Sequence, residues 1–166
     1  MIIEYYRIRP GSKEPERANP SDAGLDVFYC PRPGTAAVWI KPGRNMVLPT
    51  GIKVGVPHGY MLQVCNRSSM GAKKSLVVGA HVVDSGYDGE IFVDLHNIGD
   101  TEQLVCADDK IAQLVMVPVV HFRVMESEKN NLYDNYPITI SDRGQGALGS
   151  TDKTTDLNSG VKNAQS

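Results

Sequence analysis

The sequence predicts an all-β domain, a sandwich, jelly roll or small barrel, with one short helix and a polar C-terminal arm. Three observations lead there. Apolar residues come in short bursts rich in β-branched side chains. Turn formers separate the bursts, since Gly (16) and Pro (10) together make up nearly one residue in six of the 166. No stretch of roughly eleven residues carries the i, i+3, i+4, i+7 spacing of a long amphipathic helix. The crossover helices that a parallel sheet requires are therefore missing.

The candidate strands follow in order. Met1–Ile8 opens the chain, and Ala36–Ile40 and Met46–Leu48 flank a Pro42-Gly43 turn. Gly51–Val56 runs to Pro57-His58-Gly59, after which Tyr60–Cys65 follows. Ser68 to Ser75, SSMGAKKS, can wind one or two helical turns before Leu76–Val83. Glu90–Asn97 ends at the turn Asn97-Ile98-Gly99-Asp100, followed by Glu102–Cys106 and Lys110–Val124. Met125 to Asp142 is polar and loosely β. Arg143 to Ser166 holds almost no large apolar residue beyond Leu148, Leu157 and Val161, which predicts an arm with a disordered end. The expected division is a β domain over 1–142 and an arm over 143–166.

Charge and cysteine content exclude several classes. Seventeen Lys and Arg against nineteen Asp and Glu give a net charge of −2, which argues against a basic nucleic-acid binder. One domain of this length buries roughly 68–70% of the surface of its extended chain, enough for a real core. Cys30, Cys65 and Cys106 are isolated, without the spacing of a zinc or redox motif, and read as reduced, mostly buried thiols. Glu4 and Arg7 interrupt any leader-like apolar run, and no uncharged apolar stretch approaches ~18 residues. The expectation is a cytoplasmic protein, in the host cytoplasm if viral, with no membrane or nucleic-acid partner.

Three segments can carry chemistry. Asn66-Arg67-Ser68-Ser69-Met70-Gly71 places two hydroxyls and free N–H groups at a helix start beside an Arg, an anion site, or else a plain cap and a surface ion pair. His81 to Glu90 ends an apolar strand in Asp84, then a Ser85-Gly86 turn and Tyr87. Such an Asp can activate water once partial desolvation and a nearby anion raise its pKa, or it can be simple turn chemistry. Asp142 to Thr151 joins Arg143 to glycines and two hydroxyls, which suits a polyphosphate, or else forms a loose linker. It is not a Walker loop.

In this order the segments resemble the trimeric dUTP pyrophosphatase (dUTPase) family, over Ser21 to Thr151. Asp22-Ala23-Gly24-Leu25-Asp26-Val27 is similar to that family's AGxDL segment, and Asn66-Arg67-Ser68-Ser69-Met70 to its PRSG or PRSS. Val82 to Glu90 is close to VIDxxYxGE, Asp109 to Leu114 to D[RK]IAQL, and Arg143 to Thr151 matches RGxGxxGST. The resemblance implies a distorted jelly roll of the β-clip type that forms a homotrimer, with active sites shared between subunits and closed by the arm. By the same resemblance, Asp84 deprotonates the water that attacks the α-phosphorus of dUTP, releasing dUMP and pyrophosphate and so limiting uracil in DNA. Tyr87 packs under the deoxyribose. Arg67, Ser68, Ser69 and Gln113 hold phosphate oxygens or order the site, while Arg143, Gly146, Ser150 and Thr151 clamp the far phosphate. Backbone near Gly79 to His81 reads the uracil edge.

Phosphoanhydride hydrolysis is a matter of positioning and charge neutralisation, so Mg²⁺ is expected mainly on the substrate phosphates, without a protein cage. Asp26 is either an outer-shell support for it or a structural residue.

Three positions depart from the family pattern. Leu148 stands where an aromatic ring usually stacks on uracil, giving up about 1 kcal/mol or somewhat more. His81 replaces a Gly beside the base, and Asp94 lies near the position of a catalytic Glu in the related dCTP deaminases. Ala80-His81-Val82-Val83-Asp84 is similar to those deaminases too, but Ala72 replaces their second Arg and they lack the RGxGxxGST tail. A dCTP deaminase, a bifunctional enzyme and a non-catalytic nucleotide- or protein-binding module are the alternatives.

Overall fold

The computed structural model describes residues 1–128, 130, 132 and 133. The chain divides into two units, Met1–Phe122 and Arg123–Ser166. All strands and the helix of the described residues lie in the first.

That unit is built from antiparallel strands β1 (Tyr5–Arg7), β2 (Leu25–Phe28), β3 (Ala37–Ile40), β4 (Asn45–Pro49), β5 (Ile52–Val54) and β6 (Tyr60–Cys65). Helix α1 (Ser68–Lys74) follows, then β7 (Leu76–Val78), β8 (Val82–Val83), β9 (Phe92–Asn97), β10 (Gln103–Cys106) and β11 (Lys110–Pro118). A four-stranded sheet runs β2-β11-β6-β8, and a three-stranded one runs β4-β9-β7. The pairs β1-β5 and β10-β3 complete the set.

Alternation explains the burial. Leu62 and Val64 of β6 and Val93, Leu95 and Asn97 of β9 point into the core, while Phe92, Asp94 and His96 take the opposite face of β9. Asn97 is a polar residue in that core, and its needs are met. Its amide donates to the carbonyls of Ile40 (2.8 Å) and Thr101 (2.7 Å) and its oxygen accepts from Gly99 N–H (3.0 Å), which pins the turn after β9.

The structure corrects several expected boundaries. Strand β2 is hidden in the sequence because Asp26 interrupts its apolar run. Its partner β11 supplies the pairing, with Gln113 opposite Asp26. The segment Leu76–Val83 is two strands, since β7 pairs with β9 and β8 with β6. The chain changes sheets at Gly79-Ala80-His81, a switch that a continuous apolar run conceals. Strand β11 stops at Pro118, the Val119 N–H still donates to the Gly59 carbonyl at 2.9 Å, and residues 120–124 find no partner strand among the described residues. The thiols are free, Cys30 buried, Cys65 half-buried and Cys106 exposed, so the expectation of burial fails at Cys106. No helix among the described residues is long and apolar enough to cross a membrane.

Candidate functional site

Asp84 follows β8 directly and starts a tight turn, in which the Tyr87 N–H donates to the Asp84 carbonyl at 3.3 Å. Gly86, at the third position, has φ +85, the conformation a type II turn requires of it. The turn throws Tyr87 back. Its hydroxyl donates to the Glu90 carbonyl at 2.9 Å, and its ring lies so close over Gly89 that a Cβ there would meet the ring and hydroxyl. Asp84 and Tyr87 thus face one cleft of about 210 Å³, shared with Val82, Val83, Glu90, Ile91 and Phe92. Asp84 is exposed, so the fold over the described residues does not by itself desolvate its carboxylate.

Two ion pairs hold this turn. Glu90 receives a bidentate Arg9, with Nη1 at 2.7 Å and Nη2 at 2.6 Å, and accepts from Gly51 N–H at 2.7 Å. The Glu90 hydrogen bonds, ahead of the opposing cost of burial, raise the Arg9 pKa above its ordinary value. Asp88 pairs with Lys53 at 2.6 Å on the exposed side. Neither Arg9 nor Lys53 stood out in the sequence, because their partners lie far along the chain; for Glu90 the only signal was its place in the motif.

A second group gathers around α1. Arg67 occupies the N-cap in an extended conformation without a side-chain cap bond, so neither serine caps the helix. Its guanidinium donates from Nε to Asp26 Oδ1 at 2.7 Å and from Nη1 to Ser69 Oγ and the Lys110 carbonyl, both at 3.3 Å. Lys110 Nζ lies 3.1 Å from Asp26 Oδ2 and also pairs with Glu16. Hydrogen bonds to Glu16 and then Asp26 raise the Lys110 pKa. Both oxygens of Asp26 are therefore held by cations. Gln113 donates to the Asn66 carbonyl at 2.8 Å, and Asn66 Oδ1 accepts from Val78 N–H at 2.6 Å. Asn66 is a site-ordering residue that the sequence offered only as part of a motif. Ser68 is exposed at the first helical position. Among the described residues no group of three or more His, Cys, Asp or Glu could hold a metal ion.

His81 is tied to β6 twice. Val64 N–H donates to the His81 carbonyl at 2.8 Å, and His81 Nδ1 lies 2.9 Å from the Val64 carbonyl. A carbonyl only accepts, so Nδ1 carries a proton. The side chain at this position is thus anchored to the strand. Asp94 accepts from Asn45 Nδ2 at 2.8 Å and His96 Nε2 at 2.9 Å, so it is a partnered strand residue with no free oxygen. Arg143, Gly146, Leu148, Ser150 and Thr151 lie outside the described residues.

The two groups sit at opposite ends of β6. Register pairs Leu62 with Val83, which sets Asp84 level with Met61, whereas Arg67 comes just after the other end. Five to six residues of extended chain separate these levels by about 15–20 Å. No hydrogen bond or ion pair among the described residues joins the two groups.

Comparison with known proteins identifies the family. A model of the dUTPase family matches residues 12–151. A deoxyuridine 5'-triphosphate nucleotidohydrolase of Chlamydia muridarum is 34% identical over 150 residues, covering 89% of this chain and 96% of that protein. One from Gloeobacter violaceus is 37% identical over 139 residues, covering 82% and 87%. Among solved structures, a mutant dUTPase of a Staphylococcus aureus phage, phi11, described with a structural Mg(II) ion, superposes with a TM-score of 0.70 at 22% identity, covering 78% of this chain and 98% of that one. A mutant dUTPase of staphylococcal phage 80alpha with dUpNHpp gives 0.73 at 22% identity, covering 90% and 98%. The fold is that of these jelly-roll-like neighbours, and with a family match over most of its length and relatives above 30% identity, the chain belongs to the dUTPase family.

Proposed function

We propose that the chain hydrolyses dUTP to dUMP and pyrophosphate by water attack on the α-phosphorus. The observation that carries this is the pairing of Asp84 and Tyr87 on one pinned turn, facing one cleft. Asp84 takes the proton of the attacking water, and Tyr87 supports the deoxyribose. The peptide groups of Gly79 to His81 read the uracil edge. Ser68, Ser69 and Gln113 hold or order the phosphates around an Arg67 that Asp26 keeps in place. Arg143, Gly146, Ser150 and Thr151 of the arm, which we take to be residues 143–166 appended to a domain of 1–142, close over the far phosphate, and Leu148 covers the base.

Mg²⁺ held by the phosphates of the substrate would neutralise part of their charge, with no protein residue as a direct ligand. This fits a donor set in which Asp26 is already committed to Arg67 and Lys110.

The working form is a homotrimer. The separation of Asp84 from Arg67 along β6 supports it, because one triphosphate cannot meet both groups of a single chain unless it spans the strand. Beyond Val119, exposed Val120 and Phe122 alternate with His121 along a segment that has no partner strand among the described residues, the pattern of a strand completed by another subunit. The location is the cytoplasm, where dUTP would otherwise supply uracil to DNA.

The deciding experiment incubates the purified protein and Mg²⁺ with dUTP, dCTP, dTTP and UTP in parallel, measuring pyrophosphate and ammonia. Pyrophosphate from dUTP alone is the expected result. Ammonia from dCTP, or no product from any nucleotide, overturns the reading.

A further inference from the structure

Asp94 and His96 stand two residues apart on the outward face of β9, so their side chains are neighbours on one surface. His96 Nε2–H donates to Asp94 Oδ2 at 2.9 Å, and Asn45 of the adjacent strand β4 donates to Asp94 Oδ1 at 2.8 Å. Two of these three side chains, Asp94 and His96, press on a single backbone position. A Cβ at Gly79 would lie 2.6 Å from His96 Cδ2 and 2.7 Å from Asp94 Oδ2, and the Gly79 N–H donates to the Asp94 carbonyl at 2.8 Å. Gly79 does not have a positive φ, so the contact and not the backbone conformation is what requires glycine.

Gly79 is where the chain leaves β7 to cross to β8. Two residues later His81 is fastened to Val64 through both its carbonyl and its ring. Between these clamps the Ala80 peptide makes no hydrogen bond among the described residues. A fixed N–H and C=O with no partner present a donor and an acceptor to whatever lies beside them.

We propose that Asn45, Asp94 and His96 are positioning residues for base discrimination: they hold the Gly79–His81 crossing so that its free peptide groups meet the donor and acceptor pattern of a uracil edge. The inference rests on the reading of this crossing as the base-facing segment. It assigns to Asp94 a role opposite to that of a deaminase carboxylate. Asp94 touches no substrate and acts through Gly79.

The test compares His96→Leu, which keeps the bulk but removes the donor, with His96→Gln, which restores a donor to Asp94. Steady-state kcat and KM are measured for dUTP and dCTP with Mg²⁺, with thermal melts confirming folding. His96→Leu is expected to raise KM for dUTP about five- to tenfold with little change in kcat, and to shrink the dUTP to dCTP preference by a similar factor. His96→Gln is expected to recover most of both. Should His96→Leu fail to fold, Asn45→Ala is measured in its place, and the same KM rise is expected. Wild-type preference in the donorless variant overturns the inference while leaving the proposed activity intact. Absence of dUTP hydrolysis by the wild type overturns both.

Discussion

Arg9 and Glu90 lie 81 positions apart in sequence and meet in a two-pronged ion pair of 2.7 and 2.6 Å, with the Glu90 carboxylate also capping the Gly51 N–H. Their side chains keep only 17% and 11% of their exposure. The pair ties the chain's N-terminal segment to the residue whose carbonyl holds the Tyr87 hydroxyl. The turn bearing Asp84 and Tyr87 is thereby fixed from below.

Glu90→Gln removes the charge but keeps the shape, leaving Arg9 half-buried without its counter-ion. Unpairing a group this shielded costs about 2–4 kcal/mol. Urea unfolding is expected to show that loss, and pyrophosphate release from dUTP is expected to fall as the turn loosens. An unchanged denaturation midpoint would show the pair to be dispensable.

Asp84→Asn keeps the volume and the turn, since the Tyr87 N–H bonds to the backbone carbonyl of residue 84 and not to its side chain. The substituted amide cannot take a proton from water. Turnover of dUTP is expected to drop by about 10²-fold or more while binding of a non-hydrolysable analogue is retained. Calorimetry of the analogue with both proteins checks the second half.

The Lys110 ammonium is stabilised by Glu16 and Asp26, which raises its pKa above the ordinary 10.5. A folded-state pKa raised above the unfolded value contributes stability that is fully present below the unfolded pKa and fades as pH rises through the folded one. Buried Tyr29, whose phenol pKa burial raises above 10.0, works in the same direction. The Tm difference between wild type and Lys110→Met is therefore expected to stay constant from neutral pH up toward the ordinary lysine value of 10.5 and to shrink as pH rises beyond it. A difference that persists undiminished in strong alkali contradicts this.

Phe122 is 81% exposed between Val120 and Val124 at 83% and 86%. If another subunit covers this face, Phe122→Ser weakens the assembly. Sedimentation velocity is expected to show a trimer for the wild type and a shift toward monomer for the variant. A wild type that sediments as a monomer refutes the shared site.

Asn66 joins the motif around Arg67 to β7 by accepting the Val78 N–H at 2.6 Å. Asn66→Ala leaves that amide unpaired and is expected to cost about 1–2 kcal/mol.

Most strands were legible because their periodicity is local: Tyr60–Cys65 appears in the structure with the bounds the sequence suggested. The features hidden in the sequence have causes that are not local. The break at Gly79 arises because His96 and Asp94, fifteen or more residues on, lie against its Cα. Strand β2 forms because β11 pairs with it. Asp26 could be read as metal support or as structure, and its contacts with Arg67 and Lys110 could not be seen in the sequence.

The sequence by itself determined the class of fold, the family and the residue types available for chemistry, since these depend on alternation, turn formers and motifs written along the chain. Tertiary structure alone decided which charges are spent on one another and which remain for a ligand. Arg67 is committed to Asp26, Arg9 to Glu90, and Asp94 to Asn45 and His96. Asp84 keeps its carboxylate at the surface. The reason is physical: an ion pair is set by distance in space, and the chain brings together partners that sequence separation hides.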